Sequence, residues 1–227
     1  MWLARVGPSP LDPLRVAMGW SEVAARNHAR RLERAGWLER VPMLRGEGSL
    51  FFATRGGVRM LGVPLIGCAT PAPTWWAHDV ACAWTAAWMT VRGRTFLGPR
   101  ELLIDAEWSG QLELRHRISG RQLGHRPDFV GLVDDTRIAV EVELAPKSKL
   151  RLDAILRLHR DWLRDKKTTG IVYICGDEEG RCRIQRANER VGVMPGYGLR
   201  VELLDTIKAQ TRAEFEQARA GAEPAAA

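Results

Sequence analysis

The stretch Gly124–Leu150, GHRPDFVGLVDDTRIAVEVELAPKSKL, decides how this chain is read. Two runs rich in β-formers, DFVGLVD and RIAVEVEL, flank Asp134-Asp135, a pair suited to a tight turn. In the second run Ile138, Val140, Val142 and Leu144 fall on one face, and Ala139, Glu141 and Glu143 on the other. Pro146 stops the strand. With a two-residue loop Val133 pairs with Thr136, and stepping back along both strands sets Asp128 opposite Glu141. A four-residue loop sets Asp128 opposite Glu143, and a three-residue loop sets it opposite Val142 and disperses the acids.

Three carboxylates on one face repel one another and call for a cation. All-oxygen donors suit Mg²⁺ or Mn²⁺, with Asp128 and Glu141 as the metal ligands. Lys147 and Lys149 follow within a turn, and a lysine beside such a metal can stabilise charge on a phosphate under attack. The composite reads as a site for metal-assisted phosphodiester hydrolysis. The competing reading is a solvated edge hairpin whose acids pair with Arg126, Arg137 or Lys147.

Beyond Pro146, KSKLRLDAILRLHRDWLRDKK reads as an amphipathic helix with Leu150, Ala154, Leu158 and Trp162 on one stripe. GIVYICGD reads as a strand buried on both faces, followed by a helix-like segment, the strand GLRVELLD and a polar C-terminal helix. Upstream, residues 77–91 are helical, with Val80, Trp84 and Trp88 at spacing four, and His78 reads as a packed or capping residue. The stretch between them, AEWSGQLELRHRISGRQLGHR, is polar and gives no firm assignment. Two prolines in ATPAPT place a domain boundary at residues 69–76. The expected division is 1–68, a linker 69–76, a second domain 77–216 and a flexible tail 217–227.

Ahead of the seam, Ser21 is a good N-cap for a helix that Gly36 ends. Ala25, Ala29 and Leu32 face a core, while Arg26, Asn27, Arg30, Arg31 and Arg34 fall mainly elsewhere. WLERVPM and GSLFFATR read as two strands around LRGEG, and Thr54 caps a last helix. The net charge is +7 and the pI about 9.7. Residues 1–66 hold ten arginines, no lysine and five acids, so ten less five, or +5, sits in under a third of the chain. That concentration suits a polyanion. No apolar run approaches the ~20 residues of a membrane span, and the first residues lack the pattern of a secretory signal. Cys68, Cys82, Cys175 and Cys182 form no C-x-x-C pair or zinc spacing, which suits reduced thiols and a cytoplasmic protein.

The order helix, helix, LERAGWLERV, two strands and TRGG resembles a winged helix-turn-helix domain. By that resemblance Arg26, Asn27, Arg30 and Arg31 face DNA, with Arg45 and Arg55 near the wing. RPDFVGLVDDTRIAVEVEL resembles the PD-(D/E)XK nuclease signature, which implies an α/β fold with an αβββαβ core as in restriction endonucleases. Pro127-Asp128 and Glu141-Val142-Glu143 match its two elements, with Glu143 where lysine is usual and Lys147 standing in. The implied catalytic set is Asp128, Glu141, Glu143 and Lys147; a further acid from Glu101 or Asp105 is an open choice. The whole arrangement, up to HRPD…AVEVELAPKSK, also resembles the replication-relaxation family of plasmids and integrative elements. That resemblance implies a role on plasmid or conjugative DNA and no specific reaction; joined to the nuclease signature and its carboxylates, the reading is a Mg²⁺- or Mn²⁺-dependent endonuclease or nickase serving replication or conjugative transfer, with DNA as partner, no membrane, and a homodimer as the assembly typical of restriction-like folds. The alternative is an inactive DNA-binding regulator. A tyrosine relaxase is a third reading: Tyr173 sits in a buried strand, which leaves Tyr197 as its nucleophile, without the usual His-x-His cluster.

Overall fold

The computed structural model describes residues 2–43, 48–62, 70–193 and 198–222. It is a mixed α/β protein whose chain forms two compact units, residues 1–94 with 205–227, and residues 95–204.

The first unit begins with α1 (Trp2–Val6), α2 (Leu11–Ala17) and α3 (Glu22–Arg34). Ser21 Oγ accepts a hydrogen bond from Ala24 N and starts α3, and Gly36, at φ 71°, turns the chain out of it. β1 (Leu38–Pro42) and β2 (Ser49–Ala53) form an antiparallel hairpin, with Leu38 opposite Ala53 and Pro42 opposite Ser49. Thr54 caps α4 (Arg55–Met60): its Oγ1 accepts from Gly57 N and donates to Gly36 O. A short 3₁₀ turn (Pro73–Trp75) leads into α5 (Trp76–Val91), in which every residue from Ala81 to Met89 is buried. The last helix, α9 (Leu204–Ala222), buries Ile207 and Phe215 within this unit, and Glu214 accepts a bidentate bond from Arg92.

This differs from the division expected at residues 69–76. The compact boundary follows Arg94, so α5 and most of α9 group with the N-terminal residues. The reason is apolarity: α5 is buried around its circumference and packs against α2, while α9 supplies further core to the same unit. Residues 217–222, expected to be a flexible tail, continue α9.

The second unit holds a five-stranded sheet of order β3 (Thr95–Leu97), β6 (Phe129–Val133), β7 (Thr136–Glu143), β8 (Gly170–Cys175) and β9 (Leu199–Leu203). β3, β6 and β7 are antiparallel neighbours; β7, β8 and β9 are parallel. Parallel neighbours need crossovers, supplied by α7 (Lys149–Arg164) and α8 (Glu178–Val191). Between β3 and β6 lie α6 (Pro99–Ile104), a 3₁₀ turn (Ala106–Trp108) and a separate two-stranded ribbon, β4 (Gly110–Arg115) with β5 (Gln122–His125). One apolar cluster joins Leu152 and Leu156 of α7 to Ile171 and Tyr173 of β8 and Ile184 of α8. A second joins Leu112 of the ribbon to Ala154 and Ile155, so α7 is covered from two sides. Leu150, expected in the apolar stripe of α7, is exposed in its first turn.

Candidate active and metal-binding site

The β6–β7 hairpin turns through two residues. Val133 pairs with Thr136, and Asp134 takes φ 50°, the left-handed conformation such turns need. Of the loop lengths the sequence allows, this one aligns Phe129 with Val140 and therefore Asp128 with Glu141. Asp128 is fastened to β7 twice: its N–H donates to Val140 O at 3.0 Å, and its Oδ2 accepts from Val142 N at 2.7 Å.

β7 is an interior strand, with β6 on one side and β8 on the other. Its acids are therefore far from a solvated edge: Glu141 is 3% and Glu143 5% exposed. Burying a carboxylate is costly unless it is paired, and each has partners. Glu143 forms an ion pair with Lys147. Glu141 Oε1 accepts two hydrogen bonds, from His125 Nε2 at 2.7 Å and His159 Nε2 at 2.9 Å. His125 is the last residue of β5, and His159 lies in α7 and is fully buried. The two rings stand nearly perpendicular with centroids 5.5 Å apart.

Burial alone would raise the Glu141 pKa, but the charge and hydrogen bonds of His125 and His159 override it and hold the carboxyl well below the usual range. His159 is shifted down, chiefly by burial, against the pull of Glu141. Glu141 is thus held as an anion between the two imidazoles. Lys147 is also shifted down by burial, and Glu141 and Asp128 oppose that shift, so its ammonium lies in the field of all three acids. Tyr173, the register partner of Glu141 on β8, is 1% exposed. Burial and then the Glu141 charge push its phenol well above the usual value, which makes it a poor nucleophile. Among the described residues, neither its hydroxyl nor His159 Nδ1, both buried, has a hydrogen-bond partner.

The structure brings Asp128, Glu141, Glu143 and Lys147 together. Lys149 is exposed at the start of α7. The two open acids have local tasks: Glu101 accepts from Gly98 N at the head of α6, and Asp105 from Glu107 N. The residues that sequence reasoning missed are His125 and His159. His159 stands in register with Leu152, Ile155 and Trp162 on the buried stripe of α7, and a histidine inside an apolar stripe was the available signal. His125 ends a ribbon whose polar sequence concealed it.

These donors do not fit Mg²⁺ held by Asp128 and Glu141. Mg²⁺ favours an all-oxygen shell, whereas the oxygen of Glu141 is met by two imidazole nitrogens and one Asp128 oxygen is committed to Val142 N. In the first unit Arg26, Asn27, Arg30 and Arg31 are exposed on α3 and Arg55 on α4. Arg26 pairs with Glu22, and Arg31 meets His28. Arg45 and Tyr197 lie outside the described residues.

No protein-family model matches the chain, and no curated protein does. Among solved structures, the crystal structure of protein VC1899 from Vibrio cholerae is similar over 89% of this chain and 44% of its own, at 13% identity and a TM-score of 0.37. The chain thus spans less than half the length of that protein, and a likeness at this level carries no argument about fold or role.

Proposed function

We propose that this chain is a DNA-binding protein of plasmid or mobile-element type whose second unit hydrolyses phosphodiester bonds as an endonuclease or nickase. The observation that carries the reading is the convergence of Asp128, Glu141, Glu143 and Lys147 at the β6–β7 hairpin. The sheet supports it: three antiparallel strands, a helix, then a parallel strand is the βββαβ part of a PD-(D/E)XK core, with the β4–β5 ribbon inserted and β9 added. In the first unit the order α2, α3, β1, β2, α4, with exposed arginines along α3, supports a winged helix-turn-helix that reads DNA.

In this reading Lys147, half-buried, holds a phosphate oxygen. Asp128, the least buried of the three carboxylates, takes a proton from the attacking water. A second reading, an inactive DNA-binding accessory protein, is favoured by two observations: Glu143 pairs with Lys147, and Glu141 is tied to two imidazoles.

The test is incubation of supercoiled and linear DNA with the full chain and Mn²⁺ or Mg²⁺, with Asp128→Asn alongside. Nicking by the wild type and its loss in the variant are expected. DNA binding with no cleavage by either protein would select the accessory role.

A further inference from the structure

We infer that His125, Glu141 and His159 form a binding site for a first-row transition-metal dication of the zinc, cobalt and manganese class. The inference rests on the donor set and does not depend on the hydrolytic reading. One ring nitrogen of each histidine and one Glu141 oxygen lie within 4.8 Å of one another. Two imidazoles and one carboxylate are a ligand set that zinc and its neighbours accept and Mg²⁺ does not prefer. The N···O separations of 2.7 and 2.9 Å are hydrogen-bond lengths. Bonds of about 2.0–2.1 Å to a tetrahedral ion place ligand atoms roughly 3.3 Å apart, so a spread of about half an ångström admits the ion.

Two further observations point to a ligand there. His159 Nδ1 has no partner among the described residues, so moving the ring proton from Nε2 to Nδ1, which frees Nε2 for a metal, breaks no bond to them at Nδ1. The Tyr173 hydroxyl, also buried without a partner among the described residues, belongs to a ring 6.3 Å from that of His159 and opposite Glu141 in the sheet. Water on the ion's open position would supply its missing hydrogen bond. The three ligands come from β5, β7 and α7, so the ion would pin ribbon, sheet and helix to one another.

The full chain, stripped with a chelator, is titrated with Co²⁺ in the absence of DNA and followed by visible absorption. One Co²⁺ per chain is expected, with d–d bands, displaced by Zn²⁺ and unmoved by a large excess of Mg²⁺. The melting temperature should rise with bound metal. His125→Ala and His159→Gln should each weaken binding by more than about 10-fold, since changes beyond the ligands alone cost ~10–100-fold. Because His159 is fully buried, circular dichroism checks the fold of each variant, and His125→Ala carries the test if His159→Gln unfolds. The inference is overturned if the folded wild type binds no Co²⁺, which would make the triad a hydrogen-bonded core network. It is equally overturned if the histidine variants bind as the wild type does, or if Mg²⁺ displaces Co²⁺ and Asp128→Asn abolishes binding.

Discussion

Asp128 does two things that substitution can separate. Its carboxylate satisfies the buried Val142 N–H, and it supplies charge beside Lys147. Asp128→Ala leaves that N–H without a partner, so urea denaturation should register a loss of about 1–3 kcal/mol. Asp128→Asn keeps an acceptor oxygen and should lose well under that, while removing the charge that the proposed hydrolysis requires. Equal destabilisation by both variants would show that the charge, rather than the hydrogen bond, holds the strand. Cys175 offers a pH test at the same scale. Burial, with Asp177 adding to it, pushes its thiol up to about 11. An acid whose pKa is raised on folding contributes stability below its unfolded value of about 9 and loses it as pH climbs from 9 toward 11. Iodoacetamide at neutral to mildly alkaline pH should therefore spare Cys175 in the native chain and modify it once urea unfolds the protein, as mass spectrometry of the peptides would report.

At the scale of elements, α4 is set by contact as much as by its cap. A Cβ on Gly57 would stand 2.3 Å from the carbonyl oxygen of Trp37, and backbone cannot yield as a side chain can. Gly57→Ala should cost about 1–3 kcal/mol through overpacking, seen as a lowered melting temperature, whereas Gly56→Ala, which meets nothing nearer than 3.5 Å, should cost far less. The hairpin at the site shows how much an element reveals in sequence. Alternation and the Asp134-Asp135 pair foretold two strands and a tight turn, and restricted the register to a few choices. The two-residue turn was settled by Asp134 adopting a left-handed backbone. Alternation did not foretell that Glu141 and Glu143 would be buried. A strand with one charged face reads as half-solvated, and only the helix laid over that face makes it interior.

For the whole molecule, the return of the chain matters most. Ile207 and Phe215 are buried, the Arg15 guanidinium stands over the Phe215 ring, and Arg92 meets Glu214 across more than a hundred positions. A chain ended at Leu204 loses both apolar side chains, about 1.5–3 kcal/mol each, together with that ion pair. Calorimetry should then show the first unit melting early or failing to form a cooperative transition, while residues 95–204 keep theirs. An unchanged melt of the first unit would show that α9 is dispensable to it.

The sequence alone determined the local features: strand periodicity, turn chemistry, helix caps at Ser21 and Thr54, the acids at Asp128, Glu141 and Glu143, and the concentration of arginine toward the N-terminus. Each depends on neighbours within a few residues, where propensity, sterics and spacing act directly. The tertiary structure decided that His125 and His159 meet on one oxygen of Glu141, and that α5 and α9 belong with the N-terminal unit. His159 is 18 positions from Glu141 and His125 is 16. Nothing in local periodicity specifies that a ribbon end and a helix face will close over the same strand. That follows only when the apolar faces of α7 find the sheet and the ribbon together, and burial then obliges the carboxylate left inside to take partners.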